Sequence, residues 1–177
     1  MSHLAHRQAA PKTVHCYIFT ISDTRTTDTD LGGRAIVDLL TDKGHDVVGK
    51  TIVPDDPERV REAVQAQLAN DNVQAILTTG GTGISSRDQT YEAISSILEK
   101  RIDGFGELFR ELSYKTIGTS AMQSRACAVL ANGKYIFALP GSSGGVTDAW
   151  DGILKYQLDI NHKPCNFVEL FPRLKEK

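Results

Sequence analysis

Residues Val73 to Thr90 read VQAILTTGGTGISSRDQT. The first seven, Val73 to Thr79, form a short apolar run of strand length, and the run delivers its carboxyl end straight onto glycines. Tyr91 to Lys100 follows with Ala93, Ile94, Ile97 and Leu98 at helical spacing. Strand, glycine turn and helix in that order make the repeating unit of a parallel α/β sheet, and ligands of such sheets gather at the carboxyl ends of the strands.

The same alternation extends outward in both directions. Towards the N-terminus, Val47 to Val53 is a strand and Pro57 opens a helix through Val60, Ala63, Val64 and Leu68. Before them, Val14 to Ile21 (VHCYIFTI) is a buried strand, and Leu31 to Lys43 a helix that Gly44 is placed to end. Towards the C-terminus, GFGELFRELSYK carries Phe105, Leu108, Phe109 and Leu112 on one face, a core or subunit-contact pattern. Ala126 to Leu130 and Tyr135 to Leu139 flank Asn132-Gly133, a strong hairpin signal. A last helix, roughly Gly145 to Leu158, turns Val146, Ala149, Trp150, Ile153 and Leu154 inward. Right-handed crossovers then give a three-layer α/β fold: a mostly parallel sheet, helices on both faces and an antiparallel edge hairpin.

The 177 residues, 40% hydrophobic and 24% charged, suit one globular domain over 13–177. The preceding twelve, MSHLAHRQAAPK, read as a flexible arm without the apolar core of a secretory signal. A net charge of −2 gives no electrostatic footprint for nucleic acid. The apolar stretches are too short to span a bilayer. Cys16, Cys127 and Cys165 are odd in number and far apart, which supports neither a disulfide framework nor a CxxC metal site. Each reads as a small buried hydrophobe in a cytoplasmic protein. The histidines, including His3 and His6 of the arm, are scattered without ligand spacing.

Four loops fall at strand carboxyl ends: Ser22-Asp23, Pro54-Asp55-Asp56, Gly80-Gly81-Thr82-Gly83 and Pro140-Gly141-Ser142-Ser143. Glycines without Cβ atoms allow positive φ and close approach of amides to an anion. A plain strand-to-helix turn explains them as well. GGTGISSRD lacks the lysine of a Walker A loop, and it breaks the dinucleotide fingerprint. No Ser/His/Asp set is readable either. Asp55 and Asp88 could hold Mg2+ together; alternatively, Asp55 is a turn or capping residue before Pro57, and Asp88 caps the next helix. Arg125 suits a phosphate contact or an exposed ion pair equally.

The run TTGGTGISSRDQTYEAI, with GFGELFRELSYKTIGTSAMQSRA, IFALPGSS and KPCNF after it in order, resembles the MoaB/MogA family of molybdenum cofactor biosynthesis proteins. SMQSR, PGSS and KPCNF are closer to its MoaB branch. The resemblance implies a molybdopterin-binding domain, homo-oligomeric as a trimer or hexamer, working beside other molybdenum cofactor biosynthesis proteins. Active relatives use Mg2+ and ATP to adenylylate molybdopterin, and their two acidic positions fall on Asp55 and Asp88. By the same resemblance, Gly80, Gly81, Thr82 and Gly83 hold phosphate, while Ser22, Asp23, Pro140, Gly141, Ser142 and Ser143 line the cleft. Ser120, Ser124 and Arg125 then contact the pterin or its phosphate. Two other functions suit the same cleft: a carrier or scaffold that binds molybdopterin without turnover, and a CinA-like nucleotide-processing enzyme.

Overall fold

The computed structural model describes residues 8–176; Met1 to Arg7 of the arm, with His3 and His6, lie outside them. Six strands form one sheet in the order β2-β1-β3-β6-β5-β4. They are β1 (His15–Ile21), β2 (Asp46–Val53), β3 (Ala75–Thr79), β4 (Lys100–Arg101), β5 (Cys127–Ala131) and β6 (Lys134–Leu139). β2, β1, β3 and β6 run parallel, and β5 is antiparallel to both β6 and β4. The helices are α1 (Leu31–Asp42), α2 (Pro57–Leu68), α3 (Thr90–Ser95), α4 (Asp103–Ile117), α5 (Ser143–Ala149) and α6 (Lys155–Gln157). Among the described residues no helix is long and apolar enough to cross a membrane.

The central strands are apolar on both faces because helices cover both. Ile18, Leu77 and Phe137 point into one core with Leu40, Phe109, Leu154 and Leu158. Their neighbours Phe19, Ile76 and Ile136 point into the other, with Val60 and Val64 of α2 and Ile94 of α3. This is the period of two expressed in a continuous hydrophobic run. Ala10 packs against the first core.

Local chemistry sets the element ends. Asp56 caps α2 by accepting from the Arg59 amide at 2.9 Å, with Pro57 opening the helix. Gly44 takes φ +86° after α1, where the His45 amide returns to the Leu40 carbonyl at 2.9 Å. Asn132 (φ 48°) and Gly133 (φ 67°) make the tight turn between β5 and β6.

Two elements differ from the sequence pattern. The helix read over Tyr91 to Lys100 stops at Ser95, because the Glu99 amide donates to Leu130 and the Ile102 amide to Ala128, laying β4 along the outer edge of β5. Backbone pairing there outweighs helical periodicity, while Ile97 and Leu98 still pack against the core. The final helix is interrupted by a π-helical turn, Trp150–Leu154. Gly152 in that turn lies hard against Leu112 of α4, with no room for a Cβ.

The cysteines also divide. Cys16 is buried and burial pushes its thiol up to about 12; Cys127 is pushed up to about 11 by burial, against the pull of Arg101, Arg110 and Arg125. Cys165, read as buried, is exposed. Titration of the folded protein with a disulfide thiol reagent near pH 8 is expected to modify one thiol rapidly, and Cys165→Ser to remove that phase.

Candidate active site

The parallel registers set Ile21 beside Val53, Thr20 beside Thr79 and Thr79 beside Leu139, so four strands end together. Their following loops therefore meet, as the alternation of elements requires. The Gly80 amide donates to Leu139 at 3.1 Å, the Ser22 amide to Val53 at 2.9 Å and the Thr79 hydroxyl to Pro140 at 2.7 Å. Gly80 and Gly81 take φ +105° and +66°, the left-handed region that glycine permits. A Cβ on Gly80 would strike the Ile21 carbonyl, and one on Gly81 would strike the Thr90 hydroxyl. The Thr90 hydroxyl holds the Gly80 carbonyl at 3.0 Å and the Thr90 amide holds the Gly81 carbonyl at 3.1 Å.

A cleft of about 680 Å³ opens over this turn. Gly80 to Gly83, Asp88, Ser120, Ser124 and Pro140 to Ser142 line it, whereas Asp55 does not. Ser142 caps α5 through the Gly145 amide at 3.1 Å, and Ser143 begins that helix. A narrower hollow of about 440 Å³ shares Gly80, Gly141 and Ser142 with the cleft and reaches Ser22. Asp23 lines neither; it accepts from the Asp55 amide at 3.0 Å and pairs with Arg87.

The two acids are not helix caps. Asp56 fills that role before α2, and Gln89 stands at the cap position of α3 without a side-chain cap bond. Asp88 instead accepts from the Ser85 hydroxyl at 2.6 Å and the Ser85 amide at 2.9 Å. The Ser85 hydroxyl chiefly, then the Ser85 and Gly83 amides and Arg125, hold its carboxyl below the usual aspartate range. Asp55 moves the other way: burial raises it, and the charge of Asp88 raises it further, against one bond from the Gln89 amide. Asp55 Oδ1 is buried beside Gly81 and has no hydrogen-bond partner among the described residues. Among the described residues no three His, Cys, Asp or Glu side chains cluster as a metal cage.

A depressed carboxyl contributes stability above its unfolded pKa and loses it as pH falls through the folded value. The stability of the wild type relative to Asp88→Asn is therefore expected to be greatest near pH 7 and to shrink below about pH 4. Urea unfolding midpoints across that interval measure it.

Arg125 takes the ion pair, one of its two readings from sequence. Its Nε donates to Gly83 at 2.7 Å, one Nη to the Asp88 carbonyl at 2.7 Å, and the guanidinium pairs with Glu92. Its own amide donates to Thr82 at 2.7 Å. The side chain braces the back of the glycine turn and has few donors left for a ligand. Phe105 and Phe109 are core, while Leu108 is exposed.

Sequence reasoning missed Asp30. It is 1% exposed, caps α1 through the Gly33 amide at 2.9 Å, accepts from Thr20 at 2.7 Å and pairs with Lys50. Burial pushes its carboxyl up, but Lys50, Thr20 and the Gly33 amide together bring it below the usual range. Its position one residue before a helical pattern is the signal that could have found it.

Residues 17–159 match the family described as "Probable molybdopterin binding domain". The chain is 48% identical over 159 residues to molybdenum cofactor biosynthesis protein B of Bacillus cereus, covering 89% of this chain and 94% of that protein. Identity to the protein of the same name from Escherichia coli K12 is 43%, over 90% and 92% of the two chains. A crystal structure of a molybdenum cofactor biosynthesis protein B superposes with a TM-score of 0.81 at 49% identity, covering 84% of this chain and 93% of that one.

Proposed function

The chain belongs to the molybdenum cofactor biosynthesis protein B family, and from that membership we propose that it binds molybdopterin and adenylylates it with Mg-ATP during molybdenum cofactor biosynthesis. The observation that carries this reading is the pair of carboxylates at the glycine turn. Asp55 Oδ1 is buried without a partner, and Asp88 is held ionised nearby. Two acids beside a phosphate-sized nest would repel an anion unless a cation stood with them.

Asp55 and Asp88 fit Mg2+, which is held by one or two protein carboxylates plus waters and substrate phosphates and, when bound, neutralises charge developing at a transferring phosphorus. The protein's own part is positional. Gly80 to Gly83 present amides and Thr82 a hydroxyl to phosphate oxygens. The cleft and the adjoining hollow, joined across Gly80 and Gly141, give two substrates places that meet at the turn. A terminal phosphate oxygen of molybdopterin bonds to the α-phosphorus of ATP, the bond to the β-phosphate bridge breaks, and pyrophosphate leaves. Ser120, Ser124 and Ser142 orient the pterin or nucleotide by hydrogen bonds; Arg125 acts by holding Gly83 and Asp88 in place.

Exposed Leu108, Tyr114, Ile117 and Met122 on α4 and the turn after it support self-association, as a trimer or hexamer. Free thiols accord with a cytoplasmic setting beside other molybdenum cofactor biosynthesis proteins. The test is pyrophosphate release by the purified protein with ATP, molybdopterin and Mg2+, each omitted in turn. Release only when all three are present is expected; retained molybdopterin binding without release would leave a carrier.

A further inference from the structure

Away from the two acids, a hollow of about 430 Å³ is lined by residues of α3, α4 and β5. Arg101, Arg110 and Arg125 all face it, with Asp103 as its one carboxylate. Arg125 is paired with Glu92, but among the described residues neither Arg101 nor Arg110 has a carboxylate within 4.0 Å. Among the described residues Arg110 donates only to the carbonyls of Ser124 and Ala126, at 3.4 and 3.2 Å. Arg101 and Arg125 each lie 5.4 Å from the centre of the same ring, Tyr91. Three guanidinium groups gathered in one concavity repel one another, and an anion between them relieves that repulsion.

The hollow is formed by specific residues. Gly106 lies in the first turns of α4, where a Cβ would sit 2.8 Å from the Ala126 carbonyl and 2.9 Å from Arg110 Nη2. The missing methyl is what lets the Arg110 guanidinium fold against the helix. Glycine inside a helix costs about 1 kcal/mol against alanine, so this space is held at some expense of stability. The Cys127 thiol independently feels all three arginines.

We infer that this arginine-lined hollow binds a small phosphate-class anion, inorganic phosphate or diphosphate. Its volume falls at the small end of ligand pockets, too small for a whole nucleotide with a pterin. Diphosphate offers two charged ends to Arg101, which donates to the Tyr91 hydroxyl, and Arg110, the two guanidiniums without a carboxylate partner. The anion also comes to rest against Arg125, whose other donors hold Gly83 and Asp88, so occupancy bears on the glycine turn. The inference does not depend on adenylyl transfer.

Isothermal titration of the full chain with sodium phosphate and with sodium pyrophosphate, at pH 7.5, low ionic strength and without Mg2+, tests it. One anion per chain is expected, with pyrophosphate the tighter. Arg101→Gln and Arg110→Gln are each expected to weaken it about tenfold, the loss of one charge-assisted contact. Asp103→Asn removes the lone carboxylate and is expected to tighten it. Gly106→Ala displaces the Arg110 guanidinium while keeping its charge, and is expected to weaken binding; circular dichroism checks that each variant is folded. Equal affinity for both anions with the same variant pattern assigns a single-phosphate site. Affinity indifferent to Arg101→Gln and Asp103→Asn but tightened by Asp55→Asn would put the anion at the glycine turn and overturn the inference. So would an absence of binding at millimolar anion.

Discussion

Asp88→Asn and Asp55→Asn are each expected to lower pyrophosphate release from ATP and molybdopterin by about 100-fold or more, which corresponds to about 2.7 kcal/mol of transition-state stabilisation. The two should differ in stability, and that difference separates a catalytic role from a structural one. Asp88 is fixed by Ser85 and the Gly83 amide, and its ionised form is favoured in the fold, so its removal destabilises at neutral pH. Asp55 is pushed up by burial and by Asp88, with one oxygen lacking a partner. A group whose folded pKa is raised contributes stability only at low pH and loses it as pH rises through that value. At pH 7 its charge opposes folding. Asp55→Asn should therefore be at least as stable as the wild type while losing turnover, the signature of a residue held at its site by function. Thermal melts beside the pyrophosphate assay read both. A stable Asp55→Asn with undiminished release would remove Asp55 from the mechanism.

The second large effect is expected at Gly80. Its φ of +105° is a conformation that side chains rarely adopt, and a Cβ there meets the Ile21 backbone carbonyl, which cannot swing away. Gly80→Ala should cost about 3 kcal/mol, combining left-handed strain with a backbone clash. For a chain of this length that is a fall in Tm of roughly 6–12 °C. Turnover should fall with it, because Gly80 is one of the residues shared by the cleft and the adjoining hollow. Gly104 is the control. It lies in α4 with nothing within 4 Å of its Cβ direction and no positive φ, so Gly104→Ala should stabilise slightly, by about 0.5–1 kcal/mol. A Gly80→Ala protein that melts with the wild type would show that the turn can reshape.

Why Gly80 could be found from sequence while Arg125 could not comes down to the range of the forces. The glycines follow a strand whose apolar run is contiguous, so their place at a carboxyl end is a local fact. Gly44 after α1 and Asn132-Gly133 between β5 and β6 are local in the same way. The identity of the helix caps is also local but finely balanced: Asp55 and Asp56 are adjacent, and only backbone geometry makes Asp56 the cap. Arg125 depends on partners 33 to 42 residues away in Glu92, Asp88 and Gly83, which no window of sequence contains. The early end of α3 has the same origin, since β4 exists by pairing with Leu130 and Val129, some thirty residues on. Asp30 was hidden differently. Seven hydroxyl or acidic residues crowd the loop before it, and burial against Lys50 and Thr20 singles it out.

The central claim is that one cleft, lined by the glycine turn and Asp88 with Asp55 buried beside Gly81, joins two substrates. Mass spectrometry of the pterin recovered after incubating the purified protein with molybdopterin, ATP and Mg2+ tests it most directly. Adenylylated molybdopterin and pyrophosphate in equal amounts are the predicted result. Molybdopterin recovered unchanged from a protein that binds it tightly, with ATP intact, would contradict it.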